Sequence, residues 1–420
     1  MIARRAWLVG AAGATLGACA ALPREAEGRR VVTLWYAYGG KNRIVLESLV
    51  DRFHREQRDV WVQATFQGDY FEALAKLRTA LAAGVGPTFT HVVGEVVPYL
   101  DAAAVLEPLD AYPGVADLDL VPELSQAGAY VGGGARPLVA VPFNRSLPIA
   151  YVNAELLDRA GLRAPQTWGA LREAARALTV RRGDEVERWG FACPISWWFW
   201  VALVGAAGGE LVDRAGVPTL GGEAGVRALA LWQSLVHDDR SMRPPPGRDY
   251  NAWQAAMQDF LSGRAAMIWS STAFLRYVEE TARFPVRAVP LPRDVRHAVP
   301  TGGTMFVVLR SAPRDDKLAA WSFLRWMLRP EQAMEWSART GYLPVSRGAM
   351  RRLDDEGFYA AHPNDRVARG ELVKAMAWPW SPELFRVQRE VVEPRLEDAV
   401  LRRLDAAETM AAARREALTG

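Results

Sequence analysis

The sequence predicts an α/β protein built from two domains. Its 420 residues are about twice the length at which a single hydrophobic core usually stops growing. Strand-like runs alternate with amphipathic helical segments through the first hundred residues, as in parallel βαβ units. In mid-chain, Pro142 and Pro148 bracket a short polar stretch with apolar runs on both sides. Because each proline removes a backbone donor, we expect one sheet to end before this stretch and another to begin after it.

A polar turn between two rigid elements suits a hinge or the floor of a cleft. An ordinary loop between strands is the other interpretation. The stretch from Pro142 to Pro148 does not by itself separate the two.

The first thirty residues predict a targeting segment that lies outside the fold. Arg4 and Arg5 precede a short apolar run, and Leu16 to Cys19 has the form Leu-x-small-Cys. This form resembles a bacterial lipobox, which implies a signal peptide over 1–19, acylation of Cys19 and a polar tether over 20–30. A plain secretory cleavage site is the alternative, and both the general and the twin-arginine export routes stay open. The apolar run is too short to cross a bilayer core of ~30 Å.

The first domain reads as strands at 31–35, 60–66 and 89–93 with helices between them. Asp69 is placed to cap the second helix, directly before Tyr70. Ligands of parallel α/β sheets gather at the carboxyl ends of the strands. Tyr70 and Glu95 both lie just past a strand end.

An aromatic cluster at 196–200 follows the mid-chain turn and contains three tryptophans within four residues. Aromatic residues at helical spacing belong to a core more often than to a ligand site. Three such side chains cannot all face one core, so we expect at least one to face a cleft or solvent.

A strand at 263–271 ends in Ser270 and Ser271, and a helix follows. Paired hydroxyls at this junction either cap the helix or bind an anion at its N-terminus. Further along, Gly302 and Gly303 precede another strand.

Composition and motifs exclude several classes of protein. Lys and Arg exceed Asp and Glu by 51 − 48 = +3, without the concentrated basic face of a nucleic-acid binder. Apart from Cys19, the only cysteine is Cys193, for which we expect a buried inert thiol and no disulfide. The five histidines lack metal-site spacing. No phosphate-binding loop or nucleophile elbow occurs, so we expect no metal, no cofactor and no enzymatic activity.

Several short motifs occur together in one order: the lipobox, Gly-Asp-Tyr, Pro-Phe-Asn-x-Ser-x-Pro, the aromatic cluster before Gly-Gly-Glu, Ala-Met-x-x-Ser-Ser and Thr-Gly-Tyr-Leu-Pro. The chain thereby resembles extracellular solute-binding proteins of carbohydrate-uptake ABC importers, and among them the sn-glycerol-3-phosphate-binding proteins. The resemblance implies two lobes, each a mainly parallel sheet flanked by helices, with ligand in the cleft between them. It assigns 31–141 plus 285–329 to the first lobe and 142–284 plus 330–420 to the second.

The resemblance also implies a set of ligand-binding positions. In this sequence they fall on Tyr70, Glu95, Ser146, Trp197, Trp200, Ser270, Ser271, Gly302, Gly303, Tyr342 and Arg389. Either serine of the pair could face the ligand, and Arg386 is the rival of Arg389 as the arginine that holds phosphate. An arginine fork, hydroxyls and backbone N–H groups suit a phosphate monoester, and Glu95 suits glycerol hydroxyls.

The implied function is capture of glycerol-3-phosphate or a glycerophosphodiester and its delivery to importer permease subunits. A neutral sugar or oligosaccharide is the alternative ligand. We expect a periplasmic or cell-surface monomer, anchored to the membrane by lipid, that binds no nucleic acid. Two other classes are a lipid-anchored hydrolase, with acid pairs such as Asp110/Asp119 or Asp238/Asp239, and a structural lipoprotein. No carboxylate spacing supports the hydrolase, and the aromatic residues past strand ends argue against the scaffold.

Overall fold

The computed structural model describes residues 23–125, 136–248, 250–376 and 378–419 of the chain. The predicted signal peptide and Cys19 therefore lie outside the described residues. Within these ranges the strands are β1 (Arg30–Tyr36), β2 (Val60–Phe66), β3 (Phe89–Val93), β4 (Val141–Ser146), β5 (Pro148–Asn153), β6 (Val180–Arg182), β7 (Glu185–Ala192), β8 (Met242–Arg243), β9 (Ala265–Ser271), β10 (Val286–Val289), β11 (Val299–Pro300), β12 (Gly302–Val308) and β13 (Ala375–Met376).

Helices cover the faces of the sheets. Near the C-terminus, a π-helical turn at Val387–Val392 joins the helices at Leu384–Arg386 and Glu393–Arg402 into one continuous helical element. The α-helices are α1 (Gly40–Glu56), α2 (Tyr70–Ala82), α3 (Val97–Ala102), α4 (Pro122–Ser125), α5 (Ala154–Arg159), α6 (Trp168–Leu178), α7 (Trp197–Ala206), α8 (Glu223–Gln233), α9 (Tyr250–Leu261), α10 (Leu275–Thr281), α11 (Arg314–Met327), α12 (Pro330–Thr340), α13 (Arg347–Asp355), α14 (Phe358–Ala361), α15 (Pro363–Glu371), α16 (Leu384–Arg386), α17 (Glu393–Arg402) and α18 (Ala406–Thr419).

The first sheet has the strand order β2-β1-β3-β12-β4. β1 runs parallel to β2 and to β3, as the alternation of strands and helices predicts. β12 lies antiparallel to β3 and to β4, because the chain re-enters this sheet from the second one.

The second sheet has the order β10-β5-β9-β7-β6, with β8 beside β7. Only the pairs β7–β9 and β7–β8 are parallel, whereas β5 is antiparallel to both of its neighbours. The predicted α/β fold is confirmed, with more antiparallel pairing than we expected in this sheet. In the structure, β4 pairs within the first sheet and β10 within the second. The boundaries that we expect at 141 and 285 would put each of these strands in the other lobe. These boundaries therefore stay a proposal.

The stretch between Pro142 and Pro148 is not a turn. It continues as β4 up to Ser146, and only Leu147 separates β4 from β5. The predicted polar turn is therefore wrong, because β4 is an edge strand and an edge strand tolerates a proline that cannot donate to a ladder. The consequence is that Asn144, Arg145 and Ser146 stand on a fixed strand where the chain crosses between the sheets.

Aromatic stacking holds this crossing against the first core. The ring of Phe143 lies 4.2 Å from that of Phe306 and 4.8 Å from that of Trp336, in each case near parallel. A second core surrounds α7 and α8 and includes Phe199 and Trp232. Buried aromatic side chains of this size dominate core energetics, each removing roughly 150–250 Å² from water.

Glycine is required where β12 meets β4. Gly302 pairs with Ser146 and Gly303 with Arg145, and a register shift follows. Gly303 has φ +83°, and a Cβ at this position would lie 1.8 Å from the carbonyl oxygen of Asn144. A side chain at 303 would therefore have to push the two crossing strands apart.

We predict that Gly303→Ala lowers the free energy of unfolding by about 3 kcal/mol or more, because backbone strain and a clash with fixed backbone add together. Gly183→Ala is the matched control, since Gly183 also has positive φ (62°) but has open space around it. We expect the control to cost about 1 kcal/mol. Urea unfolding measures both, and equal losses in the two variants would contradict the role assigned to the crossing.

Candidate functional site

Two tyrosine hydroxyls meet at the centre of the candidate site. The hydroxyl oxygens of Tyr70 and Tyr342 lie 3.2 Å apart, and the amide nitrogen of Asn144 donates to each at 3.3 Å. The two tyrosines are 272 residues apart in sequence. Burial raises the pKa of Tyr70 to about 12, so this hydroxyl keeps its proton at neutral pH.

Local geometry fixes both rings. Tyr70 is the first residue of α2, where the Asp69 carboxylate accepts from the next two backbone N–H groups at 2.8 and 2.9 Å. Tyr342 follows Gly341, which ends α12 in the left-handed conformation at φ +99°. The Tyr342 ring then stacks on Trp336, with centroids 5.6 Å apart and planes 11° apart.

The glycine pair brings a tryptophan against β4. A Cβ at Gly302 would lie 2.4 Å from Cζ2 of Trp198 and 3.1 Å from Oγ of Ser146. Trp198 is half-buried, and its Nε1 donates to the carbonyl of Thr301 at 3.4 Å. The indole ring of Trp198 and the hydroxyl of Ser146 therefore both lie against the space that Gly302 leaves open.

The predicted tryptophan pair lies elsewhere. Trp197 is 1% exposed and Trp200 is 0% exposed, and both pack in the second core. Three helical positions turn the chain by about 300°, so these two share one face while Trp198 points away from it. Trp198 replaces the pair as the candidate ligand contact, and no sequence signal separated it from the pair because the helix is apolar on nearly every face.

The serine pair separates into two roles. The Ser271 hydroxyl accepts from the backbone N–H of Ala273 at 3.1 Å and so caps the helical turn that follows. Among the described residues, the hydroxyls of Ser270 and Ser146 make no hydrogen bond. Ser270 is therefore the member of the pair that keeps a free hydroxyl.

Arg145 is a buried cation that the sequence-based site lacks. Its guanidinium donates to the Gly303 carbonyl at 3.0 Å and to the Thr301 hydroxyl at 2.8 Å, while its Nε has no partner within the described part of the chain. Burial lowers its pKa to about 10, so the group stays charged at neutral pH. Arg145 holds Thr301 in place, and Thr301 in turn accepts from the indoles of Trp198 and Trp378. A charge in a short polar stretch between two apolar runs was the sequence signal for it.

Glu95 occupies the short helical turn Gly94–Val96 after β3. Burial raises the pKa of Glu95 to about 7, and the charge of Glu393 adds to this while that of Arg145 opposes it. At neutral pH the carboxyl group therefore exists in both protonation states and can both donate and accept.

Arg389 lies in the π-helical turn Val387–Val392, and its guanidinium carbon lies 4.0 Å from the ring centroid of Phe71. Phe71 follows Tyr70 in α2, so the C-terminal helices bring this cation to the start of α2. Nη1 of Arg389 also donates to the Glu393 carboxylate at 2.7 Å. Its rival Arg386 pairs with Glu383 at 3.3 Å. π-Helical turns occur frequently at functional sites.

Other chemistry finds no support in the described ranges. They contain no group of His, Cys, Asp and Glu that could hold a metal ion. Cys193 is buried, and burial raises the pKa of its thiol well above the usual value. Within those same ranges, none of the helices combines the length and apolar character needed to span a bilayer.

We predict that Glu95→Gln raises the free energy of unfolding of the unliganded protein by about 3 kcal/mol at pH 8 and changes it little at pH 5. The folded-state pKa of about 7 lies above the ordinary value of 4.5, so the wild type loses stability as pH rises through this range. Glutamine keeps the neutral shape and removes that loss. Urea unfolding at the two pH values measures the difference, with the exposed Glu185→Gln as control. A Glu95→Gln effect that is the same at both pH values would refute a buried, neutralised carboxyl group.

Comparison with known proteins gives the family. The model of the family described as bacterial extracellular solute-binding protein matches residues 48–364. The sn-glycerol-3-phosphate-binding periplasmic protein UgpB of Pectobacterium atrosepticum is 24% identical over 399 residues, covering 87% of this chain and 85% of the relative. The protein of the same name from Escherichia coli O1:K1 is 24% identical over 383 residues, covering 87% and 85%.

Solved structures share the fold. UgpB from Mycobacterium tuberculosis in complex with glycerophosphocholine superposes with a TM-score of 0.81 at 23% identity, covering 93% of this chain and 98% of that one. The GacH receptor of Streptomyces glaucescens gives a TM-score of 0.81 at 22% identity, with the same coverage. The family match spans most of the chain, and the two-lobed fold agrees with it. This protein belongs to the bacterial extracellular solute-binding family.

Proposed function

We propose that the protein is the substrate-binding component of an ABC importer and captures glycerol-3-phosphate or a glycerophosphodiester for delivery to the membrane permease. The observation that carries the proposal is the position of Arg389, whose guanidinium lies over Phe71, next in sequence to Tyr70. A cation therefore lies over the first turn of a helix, beside the residue that follows a protonated tyrosine in sequence, and this setting favours an anion. The names of the curated relatives support the same ligand class.

Each proposed contact has a chemical role. Arg389, Tyr70 and Tyr342 donate to phosphate oxygens, together with the free hydroxyls of Ser146 and Ser270. Gly302 and Gly303 allow the ligand to approach the backbone. Glu95 exchanges hydrogen bonds with glycerol hydroxyls. The face of Trp198 packs against the carbon chain or an organic cation of the headgroup.

A neutral sugar is the second candidate ligand. The half-buried indole of Trp198 lies beside Gly302 and 5.8 Å from that of Trp253, and Glu95 adds a carboxyl group. Aromatic faces with a carboxyl group suit a sugar ring. A maltose-bound MalE3 of T. maritima shares the fold with a TM-score of 0.80 at 20% identity. The buried cation Arg145 and the partly buried cation Arg389 favour the anionic ligand over this one.

We infer that the protein acts as a monomer at the cell surface or in the periplasm, anchored through lipid on Cys19, and releases its ligand without chemical change. The extracellular family supports the location, and the Leu-x-small-Cys form supports the anchor. We propose no role in nucleic-acid binding.

We predict that Arg389→Ala weakens binding of glycerol-3-phosphate and of glycerophosphocholine by at least ~30-fold, because truncating one side of a buried charge pair costs about 2–5 kcal/mol. Arg389→Lys should recover part of the affinity, since an ammonium cannot bind bidentately. Calorimetric titration of purified protein measures all three, and mass spectrometry of the recovered ligand checks that it is unchanged.

Arg386→Ala is the matched control for Arg389, one helical turn away and paired with Glu383. We expect near-wild-type affinity in this variant. Loss of binding in Arg386→Ala with normal binding in Arg389→Ala would assign the phosphate to Arg386. A wild-type protein that binds neither phosphate ligand but binds a maltodextrin would establish the sugar alternative.

We predict that Cys19→Ser releases the mature protein from the membrane fraction, because an acyl anchor needs the Cys19 thiol. A single acyl chain binds a membrane only marginally, so stable anchoring needs more than one chain. Fractionation of cells expressing wild type and variant measures the change. Equal membrane retention of the two proteins would mean that Cys19 only marks a cleavage site.

A further inference from the structure

A line of hydrogen bonds runs from the first sheet to the two tyrosines and begins at His91. This residue of β3 is 3% exposed, and the backbone N–H of Ala37 donates to its Nε2 at 2.9 Å. A ring nitrogen that accepts a hydrogen bond carries no proton, so a neutral His91 has its proton on Nδ1. Nδ1 lies 2.7 Å from the Thr304 hydroxyl and therefore donates to it.

The surroundings keep His91 neutral. Rings of Tyr38, Tyr70, Phe143 and Phe306 surround the imidazole at centroid distances of 5.2 to 6.2 Å. The two tyrosines are the titratable groups that face it, and both stay protonated at neutral pH. Burial lowers the pKa of His91 to about 3, so the same tautomer persists from pH 5 to 8.

The Thr304 hydroxyl accepts from His91 on one side and donates to Asn144 on the other, so the bonds on its two sides have the same donor-to-acceptor direction. Its hydroxyl accepts from His91, so its own hydrogen is free to donate to Oδ1 of Asn144. The backbone N–H of Thr304 donates to the same oxygen at 3.0 Å. A flipped amide would set its NH₂ group against two donors, so the orientation of Asn144 is fixed.

The amide NH₂ then donates to both tyrosine oxygens at 3.3 Å. Each hydroxyl keeps one hydrogen, and the single contact between the two hydroxyls, at 3.2 Å, uses one of them. One hydroxyl hydrogen is left without an acceptor among the described residues. Tyr342 is 4% exposed whereas Tyr70 is half-buried, so the spare hydrogen belongs to Tyr70, on the more open side.

We propose that His91, Thr304 and Asn144 are positioning residues that make Tyr70 an obligate hydrogen-bond donor to an acceptor oxygen of the ligand. The bonds all point one way, from Ala37 through His91, Thr304, Asn144 and Tyr342 to Tyr70. Each bond in such a chain polarises the next. The hydrogen-bond chain therefore requires an acceptor oxygen on the ligand, and a phosphate oxygen gains most because its bond is charge-assisted. This inference rests on the proposed function for the identity of the ligand.

The tautomer of His91 tests the chain without any ligand. Nitrogen chemical shifts of histidine-labelled full-length protein distinguish a protonated Nδ1 from a protonated Nε2. We expect the Nδ1–H form, with no titration between pH 5 and 8. An Nε2–H tautomer, or titration near pH 6.5, would overturn the proposal.

Binding by two Thr304 variants tests the effect on the ligand. Thr304→Val removes the hydroxyl and keeps the shape, whereas Thr304→Ser keeps the hydroxyl. We expect Thr304→Val to weaken binding of glycerol-3-phosphate about 10-fold and to shift the His91 nitrogen signals, and Thr304→Ser to stay within about twofold of wild type. Equal losses of affinity in both variants would mean that side-chain packing alone matters. Wild-type affinity in Thr304→Val would mean that the hydrogen-bond chain has no effect on ligand binding.

The two experiments separate the proposals. If wild type binds neither glycerol-3-phosphate nor glycerophosphocholine, the proposed ligand is wrong. The nitrogen shifts then still decide whether the hydrogen-bond chain exists.

Discussion

The pairing of β4 with β12 is the constraint on which the candidate site depends. Both strands carry the chain between the two sheets, and the missing side chain of Gly303 lets them lie together. Three consecutive residues of β4 then enter three separate interactions. Asn144 bonds to the tyrosine pair, Arg145 clamps Thr301 and the Gly303 carbonyl, and Ser146 faces Trp198 across Gly302. Because strand residues alternate in direction, one short strand can serve both faces of the crossing.

Local chemistry explains what the sequence could predict. β2 and β3 match their predicted bounds and Asp69 caps α2 as predicted, because strand alternation and a capping side chain act over a few residues. The strand through Pro142 was missed because its pairing partner, β12, lies far along the chain. A strand tolerates a proline only where the neighbouring strand needs no hydrogen bond from the proline nitrogen, and the local sequence does not reveal this. In α7 the side chains are apolar on nearly every face, so periodicity could not separate Trp198 from Trp197 and Trp200.

The site itself lay mostly beyond sequence reasoning because its bonds join distant segments. Family resemblance supplied Tyr70 and Tyr342 one at a time, with no sign that their hydroxyls meet. His91 and Thr304 are 213 residues apart, and nothing local distinguishes this histidine from one in an ordinary core. What decides its role is the Ala37 N–H group, which sets the tautomer and so the direction of every bond that follows. The donor-to-acceptor direction of these hydrogen bonds is set by the folded structure and cannot be read from the type of any one residue.

The charges around the candidate site bear on which ligand it suits. Two cations, Arg145 and Arg389, accompany two carboxyl groups, Glu95 and Glu393, and the two acids raise the cost of any further negative charge. With a pKa of about 7, Glu95 can relieve that cost by taking up a proton. A bound phosphate would raise this pKa further, so binding and protonation would be linked. A neutral sugar would add no charge near Glu95 and would leave its pKa set by burial and by the charges of Arg145 and Glu393. Proton uptake on binding would therefore indicate an anionic ligand at the candidate site, and its absence would indicate a neutral one.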